Sequence, residues 1–244
     1  MDTFGLIGKN IDYSFSKAYF NTFFKEKNLN CCYKNFDLKN LNLLQEILTS
    51  NPRIKGLNVT IPYKEKIIPV LDSLSLQASQ IKAVNVIEFT KDGKLIGHNT
   101  DYLGFIEAIK PHIKSTDKQA IILGSGGASK AIEYGLKLLK IPYLVVSRFP
   151  KNLQIGYKQL DKDLIKHSNI LINTTPIGTY PQIEEIPNFP IELLTSKHLV
   201  FDLIYNPKET QLIKKANQKG AKTLNGYRML VEQAKAAWKI WNYT

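Results

Sequence analysis

Several polar residues stand where apolar segments end, a placement that suits chemistry at the rim of a sheet. Lys64 comes four residues after Thr60, at the end of Asn58-Val59-Thr60-Ile61-Pro62-Tyr63-Lys64. Asp101 opens a helical pattern directly after Asn99-Thr100. A lysine and an aspartate can move a proton, or stabilise negative charge developing on a substrate oxygen. Asn85 lies in the apolar run Val84-Asn85-Val86, where a bare amide is costly unless it is hydrogen-bonded. Ser14 and Ser16 stand two apart at the start of a helical pattern. Two hydroxyls there either cap the helix or grip a carboxylate beside its N-terminus. Taken singly, each of these has an ordinary reading too: Asp101 suits an N-cap and Lys64 a solvated surface.

A second kind of chemistry is suggested further along. The apolar stretch Ala120-Ile121-Ile122-Leu123 runs into Gly124-Ser125-Gly126-Gly127-Ala128-Ser129, and a helical pattern follows. Gly124 permits a tight turn, Gly126 lets backbone approach a pyrophosphate, and the helix N-terminus offers free N–H groups. Ser129 takes the third small position, which still allows close helix packing. About 20 residues on, where NAD sites carry an acid for the ribose 2′-hydroxyl, this chain reads Ser147-Arg148-Phe149-Pro150-Lys151. No acid is present, while Arg148 and Lys151 could clamp a 2′-phosphate, so the turn predicts NADP.

These residues need a scaffold of alternating strands and helices. The sequence predicts strands at 3–8, 31–36, 56–60, 84–89 and 94–97, with Lys91-Asp92-Gly93 as a hairpin signal between the last two. Further strands are expected at 119–123, 143–147, 170–173 and 199–202. Helices are expected at 16–27, 38–48, 101–109 and 226–241. That alternation predicts an α/β protein with largely parallel sheets. With 244 residues, the chain suits one or two domains.

Composition narrows the function classes. Hydrophobic residues at 43% and charged ones at 22% are ordinary for a globular protein and exclude a disordered chain. No apolar run is long enough for a membrane helix, and the first residues do not form a signal peptide. The net charge of +12 could suit nucleic acid, but only Arg53, Arg148 and Arg228 among 33 basic residues are arginines, and the lysines are spread along the chain. Base readout leans on arginine, so the charge predicts no nucleic-acid partner, only a positive field for small anions. Cys31 and Cys32 are adjacent and the four histidines scattered, which predicts no disulfide framework and no metal site. The expected setting is reducing and cytoplasmic, with no membrane partner.

Together the polar blocks resemble one family, the shikimate dehydrogenases, along nearly the whole chain and in order. The resemblance rests on Ser14-x-Ser16, Asn58-Val59-Thr60-Ile61-Pro62-Tyr63-Lys64, Ala83-Val84-Asn85, Asn99-Thr100-Asp101 and the glycine-rich turn. It continues through Asn173-Thr174-Thr175-Pro176-Ile177-Gly178, the stretch from Asp202 through Tyr205-Asn206-Pro207 to Thr210, and Asn225-Gly226 through Met229-Leu230 to Gln233-Ala234. Three positions depart from the family pattern: Lys17 replaces a proline, Phe20 a histidine, and Phe149 a threonine of the phosphate loop.

The resemblance implies a Rossmann-like NADP-binding domain at 102–225 and an α/β substrate domain at 1–101 plus 226–244. It implies reversible oxidation of shikimate to 3-dehydroshikimate in aromatic amino acid and chorismate biosynthesis. Lys64 and Asp101 would be the catalytic pair, with proton transfer by Lys64 and simple polarisation both open. Ser14 and Ser16 would hold the substrate carboxylate, while Thr60, Asn85, Asp101, Tyr205 and Gln233 would meet ring hydroxyls. NADP would be held by Gly124, Ser125, Gly126, Gly127, Ala128, Ser147, Arg148 and Lys151, with Leu203 and Gly226 approaching the nicotinamide by backbone. The oligomeric state expected is a monomer or homodimer. Quinate as a substrate, a folate-type methylene dehydrogenase, and a non-enzymatic NADP-binding sensor remain rival readings.

Overall fold

The computed structural model describes residues 1–11, 14–116 and 118–242. The chain divides into two compact units, Met1–Asp101 with Gln233–Thr244, and Tyr102–Glu232. The division falls inside the last helix, Tyr227–Asn242, between residues 232 and 233. Met229 packs with the core of the second unit, whereas Ala234, Ala237 and Trp241 pack with that of the first.

In the first unit the elements are β1 (Asp2–Gly8), α1 (Phe15–Glu26), β2 (Cys31–Asp37), α2 (Leu44–Ser50), β3 (Ile54–Val59), β4 (Ser73–Leu74), α3 (Leu76–Ile81), β5 (Val86–Phe89) and β6 (Leu95–His98). They build a six-stranded sheet in the order β2-β1-β3-β5-β6-β4. Most of its pairs are parallel, as expected, and the antiparallel ones are β3 with β5 and β5 with β6. The β5–β6 pairing follows from the expected hairpin at Lys91-Asp92-Gly93, which returns the chain directly, with Gly93 at φ +81. The helix expected at 38–48 is shorter, a 3₁₀ turn at Leu41–Leu43 followed by α2. Asn40 caps that turn by accepting from the Asn42 N–H.

Alternate residues along each strand feed opposite faces of this sheet. Ile7, Leu57, Val59 and Ile87 join one cluster; Phe4, Leu6, Tyr33 and Val86 join the other. The second cluster is aromatic, with Phe20 stacked on Tyr33 at 4.8 Å between ring centroids. Trp241 ties the last helix to the sheet, its indole N–H donating to the Ile87 carbonyl at 3.0 Å. Each such fully buried side chain contributes roughly 1.5–3 kcal/mol through water release.

The second unit holds α4 (Asp101–Ile109, shared at its first residue), β7 (Ala120–Leu123), α5 (Gly127–Leu138), β8 (Tyr143–Ser147), β9 (Ile155–Gly156), α6 (Lys162–His167), β10 (Ile170–Asn173), β11 (Leu199–Asp202), α7 (Gln211–Gln218), β12 (Lys222–Leu224) and α8 (Tyr227–Asn242, shared as described). Its sheet runs β12-β11-β10-β7-β8-β9 and every pair is parallel. Strands β7, β10 and β11 are buried along their full length, which is why they read as unbroken apolar runs. From β7 the chain first builds outward through β8 and β9, then returns to the other side of β7 as β10. The strand order therefore reverses at β7, and such a switch point leaves a crevice beyond the carboxyl ends of the strands. The glycine-rich turn leaves β7 at that end.

Candidate functional site

In the first unit Lys64, Asn85, Asp101 and Gln233 converge on one buried knot, while Ser14 bonds within its own helix turn and Thr60 through its backbone. Lys64 lies beyond β3, and its Nζ donates to Asp101 Oδ2 at 2.6 Å, with side chains 16% and 8% exposed. Asp101 is set by its own turn, since its N–H donates to Asn99 Oδ1 at 3.0 Å and Asn99 in turn donates to the Ala83 carbonyl. Asn85 stands at the centre. Its Nδ2 lies 2.9 Å from Asp101 Oδ1, 3.0 Å from Thr100 Oγ1 and 3.2 Å from Gln233 Oε1. Two amide hydrogens thus serve three acceptors, and Thr100 Oγ1, 3.4 Å from Gln233 Oε1, is a further donor for that oxygen. Gln233, 148 residues away in sequence, is turned with its carbonyl oxygen toward Asn85 and Thr100.

The backbone of Asn85 is held as firmly as its side chain. Its N–H donates to the His98 carbonyl, and its carbonyl accepts from the Val59 N–H and from Asn58 Nδ2 at 3.1 Å. The carbonyl oxygen of Asn58 accepts from the Tyr33 hydroxyl at 2.6 Å. Tyr33 also interacts with the Ser16 hydroxyl, and burial pushes its phenol well above the ordinary range. A buried hydrogen-bonded line therefore runs from Tyr33, with Ser16 beside it, through Asn58 to Asn85, Asp101 and Lys64.

The two serines differ in placement. Ser14 is the N-cap of α1, its Oγ accepting from the Lys17 N–H at 3.3 Å. Ser16 is the second residue of the helix and is buried, so helix capping belongs to Ser14 and leaves the Ser16 hydroxyl to other partners. Phe20, where the family pattern has histidine, is fully buried in the aromatic cluster. Thr60 is half-buried directly after β3, where its N–H donates to the Ile7 carbonyl and its own carbonyl accepts from the Tyr63 N–H.

The glycine-rich turn in the second unit has the geometry its residues imply. Gly124 has φ +105, and a side chain there would meet Thr174 Oγ1 at 2.7 Å. Gly126 is the N-cap of α5, Gly127 and Ala128 are its first residues, and nothing lies within 4 Å of where a Gly126 side chain would sit. Ser129 is fully buried, the close packing expected of the third small position. Ser125 and Ser147 are joined by their hydroxyls at 3.0 Å, tying the turn to the end of β8. Beyond Ser147, Arg148 and Lys151 are exposed, and Phe149 is 79% exposed. The donor set is backbone amides, hydroxyls and an arginine without a neighbouring carboxylate at the strand end, which fits a 2′-phosphorylated dinucleotide.

The segment after β11 carries Leu203 and Tyr205, both half-buried. Any side chain at Gly226 would overlap the Leu203 carbonyl oxygen, so glycine is required there, and its N–H donates to the Ile204 carbonyl at 3.0 Å. Asp202 at the end of β11 is fully buried, and desolvation raises its carboxyl to about 6 against three hydrogen bonds that lower it.

Reasoning from sequence placed Asn58 and Asp202 only within motif blocks and gave Tyr33 no polar role. Asn58 carried the same signal as Asn85, an amide within an apolar strand. Nothing local marks Tyr33, because its partners come from α1 and β3.

Comparison with known proteins extends over nearly the whole chain. A family model for the shikimate dehydrogenase substrate binding domain matches residues 6–87. A curated relative from Methanosphaera stadtmanae, named shikimate dehydrogenase (NADP(+)), is 41% identical, covering 97% of this chain and 89% of its own. A solved shikimate dehydrogenase in complex with NADP+ superposes with a TM-score of 0.89 at 35% identity, over 100% of this chain and 91% of that one. The enzyme from Thermus thermophilus, solved with NADP(H) and shikimate, gives a TM-score of 0.88 at 28% identity, over 100% of this chain and 94% of its own.

Proposed function

Because the chain belongs to the shikimate dehydrogenase family, we propose that it interconverts 3-dehydroshikimate and shikimate with NADP as cofactor, in aromatic amino acid and chorismate biosynthesis. The observation that carries this reading is the Lys64–Asp101 pair at 2.6 Å, fixed by Asn85 and joined to Gln233. Bound NADPH supplies the hydride. Reduction of a ketone builds negative charge on its oxygen, and the Lys64 ammonium is the charged donor for that oxygen. Such a donor lowers the barrier whether it polarises the carbonyl or passes its proton on. Asp101 holds the ammonium in place and accepts from the alcohol.

Substrate is oriented by the surrounding groups. The Ser16 hydroxyl and the N-terminal turn of α1 suit a carboxylate, with Ser14 shaping that turn. Asn85 and Gln233 suit ring hydroxyls, and the family pattern gives Thr60 and Tyr205 the same task. In the second unit Gly124, Ser125, Gly126, Gly127 and Ala128 cradle the pyrophosphate. Ser147, Arg148 and Lys151 take the 2′-phosphate, and the backbone of Leu203 and Gly226 meets the nicotinamide. The free cysteines Cys31 and Cys32 fit a reducing compartment such as the cytoplasm. The described helices include none long and apolar enough to cross a membrane.

The test is absorbance at the NADPH band with 3-dehydroshikimate, shikimate, quinate or no substrate, repeated with NADH. Consumption of NADPH on 3-dehydroshikimate, reversed with shikimate and NADP+, is expected. Faster turnover of quinate than of shikimate would reassign the substrate, and no turnover of any of them would overturn the reading.

A further inference from the structure

Asp202 is a buried ionisable group that the proposed chemistry does not use. It has no exposure, and its neighbours within hydrogen-bond reach are neutral. Its Oδ1 accepts from Asn173 Nδ2 at 2.9 Å and from the Ile204 N–H at 3.1 Å, and its Oδ2 accepts from Thr210 Oγ1 at 2.6 Å. A carboxylate taken out of water without a cation is costly, and neutral donors offset that only in part. Desolvation accordingly holds its carboxyl near 6.

What those donors have in common is position. Asn173 ends β10, and its Oδ1 accepts from both the N–H and the hydroxyl of Thr175. Its carbonyl accepts from the Leu203 N–H at 3.0 Å. Thr174, between them, packs against Gly124 in the glycine-rich turn and donates to the Leu123 carbonyl. Thr210 is the N-cap of α7, so its hydroxyl closes the far end of the 203–210 segment. Ile204, clasped through its N–H, offers its carbonyl to Gly226. One carboxylate thus links the turns at the carboxyl ends of β10 and β11, beside the turn after β7, where a parallel sheet of this order binds a dinucleotide.

We propose that Asp202 is a positioning residue for the nicotinamide end of the cofactor: it clamps residues 203–210 so that the Leu203 backbone and Gly226 face that ring. This rests on the reading above, in which Leu203 and Gly226 approach the nicotinamide. It goes beyond that reading by giving the shape of the segment to a side chain that touches neither cofactor nor substrate. The adenine end is held by a different strand, β8, and does not depend on the clamp.

The test compares two ligands on the intact protein, NADPH and 2′-phospho-ADP-ribose, which keeps the adenine end and lacks the nicotinamide. Asp202→Ala is expected to weaken NADPH at least tenfold and 2′-phospho-ADP-ribose less than twofold. Asp202→Asn should restore NADPH to within about threefold of the parent, because an amide can accept from Asn173 and Ile204 at its oxygen and donate to Thr210 Oγ1. Where the alanine variant fails to fold, Thr210→Val removes one bond of the clamp and Thr210→Ser retains it. The valine variant should then lose several-fold in NADPH alone, and the serine variant should not. Equal weakening of both ligands, or unchanged NADPH affinity, overturns the proposal. A parent protein that binds 2′-phospho-ADP-ribose yet binds NADPH no more tightly fails the reading of Leu203 and Gly226 instead.

Discussion

Replacing Lys64 by alanine removes the ammonium that stands 2.6 Å from Asp101 Oδ2 and leaves that carboxylate to the Asn85 amide at 2.9 Å. Two consequences follow from different physics. A positioned acid–base group contributes about 10²–10⁴-fold to rate, equivalent to ~2.7–5.4 kcal/mol of activation free energy. Turnover of 3-dehydroshikimate is therefore expected to fall by that factor. The KM should change less than about tenfold, because Ser16, Asn85 and Gln233 are untouched. Stability should also fall, since a carboxylate 8% exposed loses its counter-ion. Breaking a fully buried pair costs about 3–5 kcal/mol, and the 16% exposure of Lys64 places this pair below that, at about 1–3 kcal/mol. The assay is NADPH absorbance at saturating cofactor, well below the melting temperature of the variant. The double variant with Asp101→Ala should be at most about tenfold slower than the worse single variant, because the pair acts as a unit. A Lys64→Ala enzyme within tenfold of parental turnover at neutral pH would remove Lys64 from the chemistry.

Other outcomes are expected from the same geometry. Arg148→Ala should raise the KM for NADP roughly 10–100-fold and leave that for NAD nearly unchanged, as a charge-assisted bond to phosphate contributes about 1.5–3 kcal/mol; equal losses would show that Arg148 supports only the adenine or the fold. Ser14→Ala should lower stability by about 1 kcal/mol as a lost N-cap, seen in urea unfolding. Ser16→Ala should instead weaken shikimate about tenfold or more, and a reversal of the two effects would refute the division of roles. For Asp202, the folded carboxyl near 6 lies above its unfolded value of 3.8, so its contribution to stability is complete below pH 3.8 and is lost as pH rises through 6. Relative to Asp202→Asn, the parent should therefore lose about 2 kcal/mol between pH 4 and 7, and parallel stability curves would contradict the assignment.

Much of the scaffold was readable from local pattern. Strands β8, β10 and β11 span the expected 143–147, 170–173 and 199–202, and the burial of β10 and β11 along their full length explains their apolar runs. Helix α4 starts at Asp101 and ends at Ile109, as its spacing implied. The turn after β7 was legible for a similar reason, since only glycine tolerates φ +105 at position 124. Short elements escaped: β4, β9 and β12 have two or three residues each, too few to show a period.

The site divides along the same line. Residue type and order placed Lys64, Asn85 and Asp101 among the candidates, and the resemblance added Gln233 and joined them to one family. Their convergence belongs to the tertiary structure. Gln233 reaches Asn85 across 148 residues because α8 returns to the first unit and Trp241 anchors it on β5. The same holds for Ser14 and Ser16. Two serines two apart are equivalent to any sequence rule, and their difference follows from where α1 begins and which hydroxyl turns inward toward Tyr33. Tyr33 and Asp202 were silent for a related reason. A tyrosine in a strand and an aspartate at a strand end are commonplace, and what makes them consequential is burial beside Asn58 and beside Asn173 and Thr210. Sequence by itself determined which groups were available and which backbone conformations were allowed, since those depend on neighbours within a few residues. Which groups lose water together, and so acquire shifted proton affinities and obligatory partners, was decided only when distant segments packed.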